Sequence, residues 1–107
     1  VDRGYATEEV IAATLAAQLR TRYIDNLERE MRADAMRMVP NHLAINHRCV
    51  PLFFENGILT VAMANPMDLI AIEDLQHATG VTIQPVIGTP SAIDAVISKY
   101  YLRTARS

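Results

Sequence analysis

The sequence lacks most of the patterns that mark a catalytic or metal-binding protein. P-loop, GxGxxG, HExxH and CxxC patterns are all missing, so the common nucleotide and metal signatures are absent. The single cysteine, Cys49, excludes an internal disulfide and fits a reducing compartment. No apolar run approaches the roughly 18 residues that a membrane span needs, and no stretch resembles a signal peptide. We therefore expect no catalytic residues, no resident cofactor and no direct membrane insertion.

Charge and composition narrow the class further. The formal net charge of −2 lacks the basic excess that a nucleic-acid-binding surface needs, so we expect no nucleic-acid partner. Half of the 107 residues are apolar, which is enough for the core of one small domain. The first residue is Val1 rather than methionine, and we interpret the chain as a fragment of a longer protein.

Helical patterns dominate residues 1–47. Thr7 is a candidate N-cap for a helix from Glu8 to about Arg20, in which Ile11, Leu15 and Leu19 recur every four residues. The opposite face of this helix is mostly alanine, which suits close approach of a neighbour or of a partner. An extended link over 22–27 precedes two predicted short helices. The first spans 33–39 and is stopped by a proline, and the second spans 41–47.

The periodicity changes after residue 48. Apolar runs over 49–54 and 58–64 flank Glu55-Asn56-Gly57, and Asn-Gly between such runs predicts a hairpin. The second run has only Thr60 as a polar interruption, so we expect this strand to be covered on both faces. A helix over 68–79 should turn Leu69, Ile72 and Leu75 inward and stop at Gly80. A third strand over 81–87 and a helix over 91–102, with Tyr100 in its core stripe, complete the chain.

These elements predict an α+β fold with the order ααα-ββαβα. Proline is tolerated at sheet edges, and Pro51 and Pro85 lie in the first and third strands. The predicted sheet is therefore mixed and three-stranded with the order 1-2-3, built from the hairpin and a right-handed β-α-β unit. We predict one domain over 1–107, with a helical subdomain at 1–47 and a ββαβα subdomain at 48–107.

Few side chains are candidates for chemistry. His42 and His47 are five residues apart, too far round a helix to share a metal, and His77 stands alone, so we expect no metal site. We expect Cys49 to be a buried, inert thiol. Glu73 and Asp74 fit a solvated helix face. A methionine cluster before Pro40 fits either an adaptable contact surface or core packing, and it consists of Met31, Met36 and Met38.

The junction Asn65-Pro66-Met67-Asp68 is the remaining candidate. Helix N-termini bind phosphate through their free amides, so a strand-to-helix junction of this kind is one possible ligand cradle. With Asn65 as N-cap and Pro66 at the first helical position, Asp68 falls where its carboxylate faces those amides. We interpret the junction as a structural corner.

The ordered set of motifs resembles the N-terminal domain of type II secretion and type IV pilus assembly ATPases, the GspE/PilB group. The shared motifs are Pro51-Leu52, the corner from Leu59 to Asp68, Thr79-Gly80, Pro85-Val86 and Tyr100-Tyr101. Upstream, the segment GYATEEVIAATLAAQLRTRYIDN is similar to the segment that precedes these motifs in the family. The resemblance implies a regulatory or docking domain without ATPase activity of its own, in a parent that binds ATP elsewhere and provides any oligomerisation. It also implies a cytoplasmic location at the bacterial inner membrane, with the cytoplasmic domain of a secretion or pilus platform protein as partner.

A related subgroup, the MshEN domains, implies an alternative. MshEN domains bind cyclic di-GMP through motifs that begin R-L-G-x-x-L and end L-x-x-Q, and this sequence is similar to the latter half of one such motif. The resemblance makes Gly4, Thr7 and Gln18 ligand candidates, although Val10 and Thr14 depart from the motif. The R-L-G-x-x-L half would precede Val1, so we expect the motif to be incomplete within these residues.

Overall fold

The computed structural model describes residues 2–102, with side chains from residue 8 to residue 101. Within this range the α+β prediction is confirmed, with one additional single-turn helix that falls between the predicted link and the second predicted helix. The elements are α1 (Asp2–Leu19), α2 (Leu27–Glu30), α3 (Ala33–Met38), α4 (Asn41–His47), β1 (Cys49–Glu55), β2 (Ile58–Met63), α5 (Leu69–Thr79), β3 (Thr82–Ile87) and α6 (Pro90–Val96), which continues as the π-helical segment Ile97–Leu102.

The three strands form one mixed sheet in the predicted order. β1 pairs with β2 antiparallel and β2 pairs with β3 parallel, so β2 is central. Asn56 and Gly57 both have positive φ, 55° and 78°, which is the backbone that a type I′ hairpin turn requires. Gly80 ends α5 with a φ of 74°, as the sequence predicts. Local turn chemistry therefore sets the start of β2 and the end of α5.

Backbone hydrogen bonds tie the N-terminal segments to both outer strands. The pairing of β1 with β2 shifts between Pro51 and Phe53, and the carbonyl of Leu52 accepts a hydrogen bond of 2.7 Å from the Arg32 amide. On the other side, the extended link runs parallel to β3. The Ile24 amide donates to the Ile87 carbonyl at 2.9 Å, and the Ile87 amide donates to the Arg22 carbonyl at 2.8 Å.

The main core surrounds β2. Five of its six residues are buried, which confirms that the central strand is covered on both faces. The partly buried Met31, Met36 and Met38 pack against this core, so core packing describes the methionine cluster. A second, smaller cluster lies under α1 and contains Ala12, Ala16 and Ile87.

Helix α1 differs from its prediction in start and orientation. It begins at Asp2, so Thr7 lies inside the helix and is not its N-cap. Ala12 and Ala16 are buried, whereas Ile11, in the four-residue stripe, is 55% exposed. The small alanine side chains let the helix backbone approach β3 closely, which larger side chains would prevent. The alanine face is therefore the one that packs on the body of the domain.

Tyr101 takes the core position that the sequence predicts for Tyr100. Tyr101 is buried and Tyr100 is only partly buried, whereas the α-helical period had placed Tyr100 in the core stripe. The segment from Ile97 onward is π-helical, and its wider turn brings every fifth residue back to nearly the same face. Tyr101 thereby follows Val96 into the core.

The Tyr101 hydroxyl gives a stability prediction. Among the side chains that the structure describes, this hydroxyl is buried without a hydrogen-bond partner. Tyr101→Phe should therefore leave the free energy of unfolding unchanged or raise it by about 1–2 kcal/mol, because no bond is lost and a buried polar group is removed. Denaturant unfolding measures this, with Tyr100→Phe as the matched control.

The Tyr100 hydroxyl donates to Glu28 at 2.8 Å, so that control should lose up to about 1 kcal/mol. A loss above about 1 kcal/mol for Tyr101→Phe would mean that the buried hydroxyl has a partner after all.

Candidate functional site

The corner between β2 and α5 is built by two side-chain caps. The Asn65 side-chain oxygen accepts from the Met67 amide at 3.0 Å and forms a turn before the helix. Asp68 is the N-cap of α5, and its carboxylate accepts from the Ala71 amide at 3.2 Å. The predictions that Asn65 is the N-cap and Pro66 the first helical residue are therefore wrong, since the N-cap is Asp68, three residues after Asn65. The conclusion drawn from it stands, because the Asp68 carboxylate occupies the start of α5 and repels an anionic ligand.

The same corner carries an exposed apolar surface, which we call the α5 patch. It consists of Met67, Leu69 and Ile70, whose exposed fractions are 61%, 64% and 70%. The prediction that Leu69 turns inward is wrong. Ala71 and Leu75 are the buried residues of α5, and Leu69 lies on the opposite side of the helix from both. Three large apolar side chains in one turn of helix and corner are typical of a contact surface.

A second exposed apolar surface, which we call the α1 patch, is a pair of residues on α1. Val10 is 65% exposed and Ile11 is 55% exposed. Beside it runs a small groove with a volume of about 110 Å³. Ala64 and Gly88 lie in this groove and directly follow β2 and β3, so it lies at the carboxyl ends of the two parallel strands. The remaining lining residues are Glu8, Ile11, Ala12, Leu15 and Pro90.

Glu8 fastens α1 to the start of α6. Its carboxylate accepts from the Ser91 amide at 2.9 Å and from the Ser91 hydroxyl at 2.7 Å. These two bonds lower the pKa of Glu8 below its ordinary value of 4.5, and the bond from the Ser91 hydroxyl has the larger effect. The contact joins residues 83 positions apart, and no local pattern in the sequence announces it.

Glu8 should make the docking of α1 depend on pH. A carboxylate whose pKa is lower in the folded state stabilises that state above its unfolded pKa. That contribution is lost as pH falls through the folded value. Hydrogen exchange of the α1 amides should be measured at pH values below 4.5, the ordinary pKa of glutamate. Protection of these amides should decrease as the pH is lowered.

Glu8→Gln is the decisive variant for this prediction. It should weaken α1 protection at neutral pH and make it nearly independent of pH in the acid range. Glu9→Gln is the matched control, because Glu9 is exposed and the neighbouring residue, and it should keep the wild-type profile. An unchanged profile for Glu8→Gln would contradict the role of this contact.

Polar contacts elsewhere join the helices at the surface. Glu28 on α2 accepts from Lys99 at 2.9 Å and from Tyr100 at 2.8 Å, which lowers the pKa of Glu28 and raises that of Lys99. His47 lies 2.9 Å from Asp74, joining α4 to α5. Arg48 contacts Asp94 on α6. Each arrangement is a pair or triad that joins two elements at the surface.

The candidates for chemistry remain apart. Cys49 is fully buried, and burial raises the pKa of its thiol to about 12, so it is protonated and unreactive at neutral pH, as predicted. Among the side chains of residues 8–101, no three from histidine, cysteine, aspartate or glutamate come together as a metal site. Of the ligand candidates, Gln18 is exposed near the end of α1. Gly4 and Thr7 lie in the same helix, in its first turns, where the structure describes no side chains. Within the described range, no helix is long and apolar enough to cross a bilayer.

Comparison with known proteins places this fold. The family model of the MshEN domain matches residues 19–107. The type IV pilus assembly ATPase PilB of Myxococcus xanthus is 29% identical over 101 residues, and that of Thermus thermophilus is 26% identical over 103 residues. Each match covers 94% of this chain, but only 18% and 12% of the respective ATPase.

Solved structures agree with these matches. MshE, in a structure with cyclic di-GMP, has a TM-score of 0.76 and 26% identity; the match covers 85% of this chain and 66% of that one. The N-terminal domain of XpsE has a TM-score of 0.72 and 24% identity, and covers 88% of this chain and 66% of its own. The likeness to XpsE shows the shared fold.

Proposed function

The chain belongs to the MshEN domain family, and from that premise we propose that it is a non-catalytic regulatory and docking domain. In this proposal it links a type II secretion or type IV pilus-like ATPase to a partner protein at the cytoplasmic face of the bacterial inner membrane. ATP binds elsewhere in the parent protein. The partner is the cytoplasmic domain of a secretion or pilus platform protein.

The observation that carries this proposal is the match of nearly the whole chain to a small part of two pilus ATPases. A domain that occupies 18% or less of such an enzyme, and that has no P-loop, supplies something other than the ATP site. The described side chains form surfaces suited to contact with a partner and no cluster suited to catalysis. The thiol is buried and protonated, the ion pairs lie at the surface, and the α5 patch leaves large apolar side chains in water.

Calorimetric titration tests the docking role. The 107-residue chain should bind the purified cytoplasmic domain of the platform protein encoded with its parent, with a dissociation constant in the micromolar range or below. A platform domain from an unrelated secretion system is the control and should not bind. Absence of binding at high micromolar concentrations, with both proteins folded by circular dichroism, would contradict the docking role.

A second candidate function is the sensing of cyclic di-GMP. The observation that favours it is the structural match to MshE, which was solved with that nucleotide. Gly4, Thr7 and Gln18 are the residues of this chain that the ligand would meet. In the parent protein, Gln18→Ala should weaken cyclic di-GMP binding, whereas Gln76→Ala, exposed on α5, should leave it unchanged. If the parent protein shows no binding when it is titrated with cyclic di-GMP, this candidate function is excluded.

A further inference from the structure

The net charge of −2 hides a strong segregation of charge along the chain. All ten lysine and arginine residues lie in residues 1–48 and 99–107. The fifty residues from Cys49 to Ser98, which build the sheet, α5 and α6, contain five carboxylates and no lysine or arginine. We call these fifty residues the acidic part of the chain. Two of its carboxylates face cations from α4 and its C-cap, Asp74 facing His47 and Asp94 facing Arg48, so any attraction for basic partners is local to the carboxylates that remain.

The α5 patch lies inside this acidic part. On a helix surface, residues three and four positions apart are neighbours. Glu73 is therefore adjacent to both Leu69 and Ile70, and Asp74 is adjacent to Ile70. Both carboxylates belong to exposed residues, and of the two only Asp74 has an ion-pair partner among the described residues, His47. The apolar side chains thus have an acidic border along the helix.

We propose that the α5 patch and its border, Glu73 and Asp74, dock a basic amphipathic segment of the partner protein. This inference rests on the proposed docking function and names the chemistry of the docked segment. Such a segment presents apolar side chains to Met67, Leu69 and Ile70, and lysine or arginine to the two carboxylates. Apolar contact provides the affinity, while opposite charge orients the segment and speeds association.

A protein segment fits this surface better than a lipid surface does. The cytoplasmic leaflet is negatively charged and repels an acidic patch. Cytoplasmic segments next to transmembrane helices, by contrast, carry an excess of lysine and arginine. The α5 patch therefore suits the membrane-proximal part of an inner-membrane protein, at the place where that protein leaves the bilayer.

The first test uses the cognate platform domain and two matched double variants. Leu69→Ser/Ile70→Ser should weaken binding about tenfold or more, because it removes the apolar anchors from the centre of the contact. Val10→Ser/Ile11→Ser is the control, since the α1 patch is similarly exposed and its neighbouring carboxylate, Glu8, is already bonded to Ser91. It should bind like the wild type. Binding unaffected by the α5 double variant overturns this inference and leaves the docking function standing.

Charge is tested separately. Glu73→Lys should weaken binding, and raising the salt from about 0.05 M to about 0.5 M should weaken the wild type more than it weakens this variant. Glu9→Lys, on α1, is the control and should leave both affinity and salt dependence unchanged. Equal salt dependence of the wild type and Glu73→Lys would contradict the acidic border.

If the platform domain does not bind at all, the docking function itself is contradicted. The α5 patch can still be tested in that case with a model peptide. The probe is an amphipathic helical peptide of leucine and lysine, about 18 residues long so that it holds a helix. In two-dimensional NMR it should shift amides of residues 67–77, whereas the same peptide with glutamate in place of lysine should shift none. Vesicles of phosphatidylglycerol should not bind the chain. Shifts that map elsewhere, equal binding of both peptides or capture by the vesicles would each overturn the inference.

Discussion

Leu75→Ala should lower the free energy of unfolding by about 3 kcal/mol. Leu75 is fully buried between α5 and the sheet, and large-to-small core substitutions of this kind cost about 2–5 kcal/mol. The loss combines the transfer of the missing methyl groups with the cavity that they leave. For a domain of about 100 residues, a loss of this size lowers the melting temperature by more than ten degrees, since about 1 kcal/mol corresponds to about 4–8 °C.

Leu69→Ala is the matched control in the same helix. Leu69 is 64% exposed, so its truncation should change the free energy of unfolding by no more than about 0.5 kcal/mol. Urea denaturation followed by circular dichroism compares the two variants. Similar losses at both positions would mean that α5 has the opposite face in the core, and would remove the α5 patch as an exposed surface.

Ala16→Glu should detach α1 from the domain. Ala16 is buried against Ile87 in the small cluster under α1, so glutamate there forces a longer, charged side chain into an apolar contact. Global stability should fall by about 2 kcal/mol, and α1 amides should lose most of their protection from hydrogen exchange. The main core is separate from this cluster, so the sheet should keep its fold.

Ala17→Glu controls for the helix itself. Ala17 is the neighbouring residue but is exposed, so glutamate there reaches water and should leave α1 protected. Hydrogen exchange with mass spectrometry resolves α1 from the sheet in both variants. Uniform loss of protection throughout the Ala16→Glu protein would show that α1 and the main core unfold as one unit.

Elements fixed by local chemistry were predictable from the sequence. The hairpin turn at Asn56-Gly57 and the stop at Gly80 require backbone angles that few residues adopt, so the residue type announces the structure. Two prolines excluded the outer strands from the centre of the sheet. The family resemblance, confirmed by the match over 19–107, rests in part on Pro51, Gly80 and Pro85.

Choices between two similar faces or caps were not predictable. On α1 both a large apolar stripe and an alanine stripe recur at helical spacing, and periodicity does not say which one is buried. Close approach of α1 to β3 favours alanine, which is a tertiary effect. At the corner, Asn65 and Asp68 are both good caps, and each forms its own hydrogen bond. The π-helical turn that buries Tyr101 has no signature in the sequence.

The features of the candidate site also include some that the sequence predicts and some that only the fold reveals. The contact between Glu8 and Ser91 joins distant parts of the chain, so only the fold reveals it. The acidic part of the chain is visible in the sequence, but a single net charge averages it away. Exposure of Leu69 and Ile70 depends on the rotation of α5, and that rotation is set by the packing of Ala71 and Leu75.

The backbone bonds on the outer strands restrict how a partner can bind. Many docking domains accept an extended peptide as an additional strand on an open sheet edge. Here the residues before α2 already pair with β3, and Pro51 lacks an amide hydrogen on β1, where the next carbonyl is bonded to Arg32. Strand addition is thereby obstructed at the end of β3 and at the middle of β1, which also protects these positions from edge-to-edge aggregation. For the proposed docking function, this favours recognition through side chains, such as those of the α5 patch.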